Sequence, residues 1–172
     1  GYYFAYHQVD SDFTVRVRLE SQSGGASLNP LALFGLEIRN SLDPDADKIQ
    51  WIKTKDNRLG YTKRDFNLSE PNEFTVDLGT GDLPIWLQIV KQGDEFTLSY
   101  STVNVAGNTP PPNVSWNVAQ TLIVPSLAGN VFLGLMNAPL SDSLIITVTF
   151  SNYHVCGNAS SICGPVREAS GQ

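Results

Sequence analysis

The chain has 172 residues, with 11 Lys+Arg against 17 Asp+Glu and a formal net charge of −6. That length suits one domain with a full hydrophobic core and leaves little room for a second. An acidic chain without a basic cluster argues against nucleic acid as a partner. No apolar run approaches the roughly 18 residues of a membrane-spanning helix, so no membrane insertion is expected. Charged residues are 16% of the chain, beside 14 Gly and 10 Pro, which reads as strands joined by turns. The chain opens at Gly1 without Met or a charged-then-apolar leader, which reads as a processed product.

In chain order, the first predicted strand is Tyr2–His7. Phe13–Glu20 then alternates without a break: Phe13, Val15, Val17 and Leu19 face one way, Thr14, Arg16, Arg18 and Glu20 the other. Further strands are predicted at Leu33–Asn40, Lys48–Thr54, Phe74–Asp77, Pro84–Gln92, Glu95–Ser101, Gln120–Val124, Val131–Asn137 and Ser143–Val155. Turn signals separate them, including Ser23-Gly24-Gly25, Asp43-Pro44-Asp45 and Gly79-Thr80-Gly81-Asp82. The two strands around Gly93-Asp94 read as a β-hairpin. Short antiparallel strands in one domain predict an all-β, two-sheet jelly-roll sandwich over residues 1–155, followed by an irregular tail over 156–172.

The two cysteines, Cys156 and Cys163, lie in that tail. With only His7 and His154 as further soft ligands, a zinc site is not expected, and the spacing is not Cys-x-x-Cys. A small disulfide loop is the better reading, worth about 2–3 kcal/mol on the chain-entropy argument, and it points to an extracellular setting. Asn67, Asn113 and Asn158 sit in N-x-S/T sequons, which permit glycosylation there.

Several stretches, in order, resemble a known group: Tyr6–Val15 (YHQVDSDFTV), Phe34–Ala46 (FGLEIRNSLDPDA), Trp86–Thr102 (WLQIVKQGDEFTLSYST), Val131–Leu135 (VFLGL) and Thr147–Asn152 (TVTFSN). They are similar to the concanavalin A-like, or laminin G-like, sandwich modules of secreted bacterial proteins. That includes the group of unknown function related to β-xylosidase C-terminal modules. The resemblance covers about residues 2–155 and implies the sandwich fold. It does not single out one function, because lectins, glycanases, adhesion and structural modules share it. The chain departs from the pattern at Val103–Val114, which carries a triple proline, and after Val155.

Four kinds of chemistry are weighed. Glycanases on this fold carry a Glu-x-Asp-x-x-Glu strand, which is absent; Glu70 and Glu73 flank Pro71 in a predicted turn and do not match, so no enzyme is expected. Asp43, Asp45 and Asp47 stand at alternate positions, as at the opening of a calcium loop. A turn capped by Asp fits equally, the rest of an EF-hand is missing, and no other cofactor is indicated. A glycan needs aromatic faces and planar polar groups. Trp51, Trp86, Trp116 and Tyr61 offer the first; Arg16, Arg18, Arg39, Gln50 and Gln88 offer the second. By parity Trp86 and Gln88 lie opposite Ile85, Leu87 and Ile89, on an outer face with Arg16 and Arg18. The alternative is that the tryptophans fill the core or rim. Finally, open strand edges, the termini and the proline loop could join copies of the chain into a filament or surface layer. The expectation is a secreted, non-catalytic, carbohydrate-binding or adhesive module, with a structural subunit as the rival.

Overall fold

A computed structural model describes residues 2–24, 32–67, 72–103, 115–139 and 146–157. Eleven strands run through them: β1 Tyr3–Val9, β2 Phe13–Ser23, β3 Leu33–Arg39, β4 Lys48–Thr54, β5 Arg58–Arg64, β6 Asn72–Thr80, β7 Ile85–Gln92, β8 Glu95–Ser101, β9 Asn117–Ile123, β10 Val131–Ala138 and β11 Thr147–Gly157. They form two antiparallel sheets, one of six strands in the order β1-β10-β3-β4-β5-β6 and one of five in the order β11-β2-β7-β8-β9. The fold is all-β, two sheets packed face to face. Among the described residues no helix is long and apolar enough to cross a membrane.

Alternation explains the packing. Phe13, Val15, Val17 and Leu19 of β2 and Ile85, Leu87 and Ile89 of β7 are buried in one inter-sheet cluster. They meet Leu36, Ile38, Ile49 and Leu133 from the six-stranded sheet. Each such side chain contributes roughly 1.5–3 kcal/mol by leaving water. The β7–β8 hairpin turns at Gly93, whose φ of 61° is a left-handed conformation that glycine adopts without a Cβ penalty.

Strand β5 was not expected from the sequence. Its Arg58-Leu-Gly-Tyr-Thr-Lys-Arg64 composition puts only Leu59 and Tyr61 toward the core, too few for a visible alternation. Gly60 sits at its centre because the neighbouring strand crowds it: a Cβ there would stand 2.3 Å from the Thr75 carbonyl oxygen. The last strand also reaches past the predicted boundary, to Gly157, and takes in Cys156.

Candidate functional site

The best-formed candidate lies on the outer face of the six-stranded sheet. Register decides what meets there. Arg39 of β3 pairs with Lys48 of β4, and Lys48 pairs with Arg64 of β5, so three cations stand abreast on adjacent strands. The next row on the same face is Glu37, Gln50, Thr62 and Phe74. Its polar groups are joined across the strands. Thr62 Oγ1 donates to Gln50 Oε1 at 2.6 Å, and Gln50 Nε2 donates to Glu37 Oε2 at 2.6 Å. The Tyr2 hydroxyl donates to the same carboxylate, and Arg39 stands 3.5 Å from its other oxygen. Glu37 is wholly buried, so its charge depends on these partners. Burial, then the Glu37 charge beside it, pushes the Tyr2 hydroxyl pKa well above its ordinary value. The Tyr2 ring nevertheless stays 44% exposed, and Phe74 at the far side of the row is 51% exposed.

The arginines of the cationic row are held in place by a turn. Arg39 donates to the Asp43 carbonyl, and Arg64 donates to the carbonyls of Pro44 and Ala46. The turn closes on itself through Asn40 N to Asp47 O at 3.1 Å. Two depressions open beside Lys48. One, of about 310 Å³, is lined by Gln50, Thr62, Arg64 and Phe74 among others; the other, of about 370 Å³, by Tyr2, Arg39, Leu42 and Pro44. Phe4, Tyr6 and Phe132 continue the face as an aromatic strip, with Phe4 and Tyr6 stacked at 5.2 Å and Tyr6 edge-on to Phe132 at 5.5 Å.

The residues singled out in the sequence divide between the core and both outer faces. Trp51 is a core residue: it is fully buried and donates its Nε1–H across the sandwich to the Ser99 carbonyl at 2.9 Å. Trp86 does lie opposite Ile85 and Leu87, yet it is only 1% exposed, so the expected open aromatic platform is corrected. Parity fixes the side of the sheet and not what covers it. By register Trp86 sits between Arg18 and the small, buried Ser101, a place where so large an apolar surface leaves water. Gln88 is buried as well and accepts from Arg16 Nε at 2.7 Å. Arg16 lies over the half-buried Trp116 at 5.3 Å, and Arg18 pairs with Glu20 at 2.9 Å. Tyr61 points into the core, with its hydroxyl on Glu73.

Glu73 stands in strand β6 rather than in a turn, ion-paired with Lys63 at 2.6 Å; Lys63, then Tyr61, holds its pKa below the ordinary range. Glu70 lies outside the described residues. Asp43, Asp45 and Asp47 do not converge: Asp43 accepts from Ser41 at 2.9 Å, Asp47 from Asn40 at 3.2 Å and from the Phe66 amide at 2.9 Å, and Asp45 is exposed. No group of three acidic, His or Cys ligands forms among the described residues. Cys156 is buried at the end of β11; Cys163 lies outside the described residues, as do Asn113 and Asn158, while Asn67 is exposed. Sequence reasoning missed Tyr2, Lys48, Arg64 and Phe74. The signal that finds Lys48 and Arg64 is the shared phase of β3, β4 and β5, which needs β5 to be recognised first; Phe74 joins through the pairing of β5 with β6.

No protein-family model and no curated protein matches this chain. Among solved structures it is similar to a functionally unknown protein from Saccharomyces cerevisiae, at 14% identity and a TM-score of 0.66, over 91% of this chain and 75% of that one. It is similar to the alginate lyase from Klebsiella pneumoniae at 11% identity and a TM-score of 0.51, over 87% of this chain and 61% of the lyase, so it spans about three-fifths of that protein's length. The CBM40 module of the Ruminococcus gnavus IT-sialidase, bound to α2,3-sialyllactose, aligns at 11% identity with a TM-score of 0.36, over 78% of this chain and 80% of the module. The first two likenesses show a shared β-sandwich fold; the third is too distant in shape to support more.

Proposed function

We propose that the chain is a secreted, non-catalytic carbohydrate-binding module of the concanavalin A-like, jelly-roll kind, and that a glycan lies across the outer face of its six-stranded sheet. One observation carries this reading: the Thr62–Gln50–Glu37 relay lies between two exposed rings, Tyr2 and Phe74. Sugar rings stack C–H surfaces on aromatic faces, and their hydroxyls need donors and acceptors whose directions are already set. The relay fixes the Gln50 amide, since each end of it has a partner. A non-catalytic role fits the carboxylate of this face, because Glu37 is committed to neighbours; Glu73, on the opposite side of β6, is held by Lys63 and Tyr61. The reading requires no cofactor. It takes Cys156–Cys163 as a disulfide closing the tail, and exposed Asn67 as a site open to glycosylation.

Polysaccharide pull-down tests it. The wild-type protein is expected to be retained by at least one glycan matrix, and Tyr2→Ala and Phe74→Ala to be released. Retention of both variants at wild-type strength moves the site elsewhere. New reducing ends or unsaturated products that vanish in Glu73→Gln would make the protein an enzyme.

A second reading, self-association into a filament or coat, rests on edge strand β9, which exposes Val118 and Ile123. Particles that stay monodisperse over a wide concentration range count against it.

A further inference from the structure

Resting on the placement of the glycan above, we infer that the saccharide is anionic and that Lys48, between Arg39 and Arg64, receives its carboxylate or sulfate. The charge of the row stands out against its surroundings. The chain carries a net −6, yet three cations stand side by side here, one strand spacing of about 4.8 Å apart. Their partners do not cancel them. Arg39 faces Glu37, but Arg64 is held by carbonyl oxygens, which orient a guanidinium without removing its charge. Among the described residues no carboxylate ion-pairs with Lys48 or Arg64.

Two nearby carboxylates are already taken: Glu37 by Gln50 and Tyr2, Asp47 by Asn40 and the Phe66 amide. Among the described residues the buried Arg39 Nε–H has no acceptor, a donor left over on the same row. Both depressions meet at Lys48, and their volumes fall in the range of small-ligand sites. Burial, with Arg64 and Arg39 adding to it against the pull of Glu37, lowers the Lys48 amine pKa. An arriving anion reverses that cost, which is the physical reason for the preference.

The test compares binding of the full chain to four polymers by affinity electrophoresis at low and high salt: polygalacturonate, dextran sulfate, neutral dextran and poly-glutamate. Polygalacturonate or dextran sulfate is expected to bind at least about tenfold more tightly than dextran at low salt, with the advantage shrinking at high salt. The stronger of the two identifies carboxylate or sulfate as the anion. Lys48→Gln is expected to abolish the advantage of the charged glycans over dextran, and Lys48→Arg to restore it. An equal preference in Lys48→Gln and wild type overturns the inference, as does dextran binding as well as the charged glycans; in both cases the glycan-binding face itself survives. Poly-glutamate matching polygalacturonate overturns the saccharide in favour of any polyanion. No retention on any glycan overturns the inference and the face together.

Discussion

The two outer faces obey the same parity rule and end in opposite conditions. On the five-stranded sheet most polar groups close on one another: Arg16 on Gln88 and Trp116, Arg18 on Glu20, Ser151 on Glu20, with Trp86 buried beside them and its Nε1–H without an acceptor among the described residues. On the six-stranded sheet the row Arg39–Lys48–Arg64 keeps cations with no carboxylate ion-paired to Lys48 or Arg64 among the described residues, next to exposed Tyr2 and Phe74. A Trp and two Arg in one strand pair are therefore not by themselves a binding surface. Side chains that satisfy each other stabilise the fold; a face takes a ligand where, as beside the Thr62–Gln50–Glu37 relay, exposed rings and cations without a carboxylate remain.

The sharpest way to break this contrast is Trp86→Ala. Removing a buried indole is expected to destabilise the protein by about 3–5 kcal/mol. At roughly 2–4 °C per kcal/mol for a chain of this size, thermal unfolding should show it plainly. The variant should still bind glycan while folded. Undiminished stability together with lost binding would move the site to the five-stranded sheet.

Next in size is the other face. Phe74→Ala, at an exposed position, should leave the melting temperature nearly unchanged and weaken glycan binding about tenfold, as measured by calorimetry. A stability loss without a binding loss would make Phe74 a structural residue. Arg16→Ala is expected to cost about 1 kcal/mol, from one hydrogen bond and one cation–π contact, and to leave binding alone. A binding defect there would erase the difference between the faces.

The smallest effect concerns the seam between the sheets, where His7 of β1 and Tyr153 of β11 meet at 3.0 Å. Burial lowers the His7 pKa from 6.5, so the fold favours the neutral ring. Stability from this group is present above the unfolded value of 6.5 and is lost as pH falls below it toward the folded value. Denaturant unfolding between pH 7.5 and 5 should show that loss, and His7→Gln should flatten it. An unchanged slope in the variant assigns the acid sensitivity to other groups.

Strands β2 and β7 were legible because every second residue is aliphatic, and inter-sheet burial selects for that pattern. Strand β5 was not, since Gly60, Lys63 and Arg64 hide a strand that has only two inward side chains. The same gap hid the candidate site. Arg39 was visible as a candidate polar group for a glycan, but its alignment with Lys48 and Arg64 exists only through the β3–β4–β5 register. Trp86 shows the complementary case: its side of the sheet was read correctly and its burial was not.

By itself, then, the sequence determined strand periodicity, the hairpin at Gly93-Asp94 and the inward set that makes two sheets stack, because these follow from neighbours along the chain. Tertiary structure alone decided which outward side chains meet, which carboxylates are taken, and which tryptophan is covered. Those outcomes depend on residues tens of positions apart being brought to within a few ångströms, and one-residue changes in pairing register would have rearranged them all.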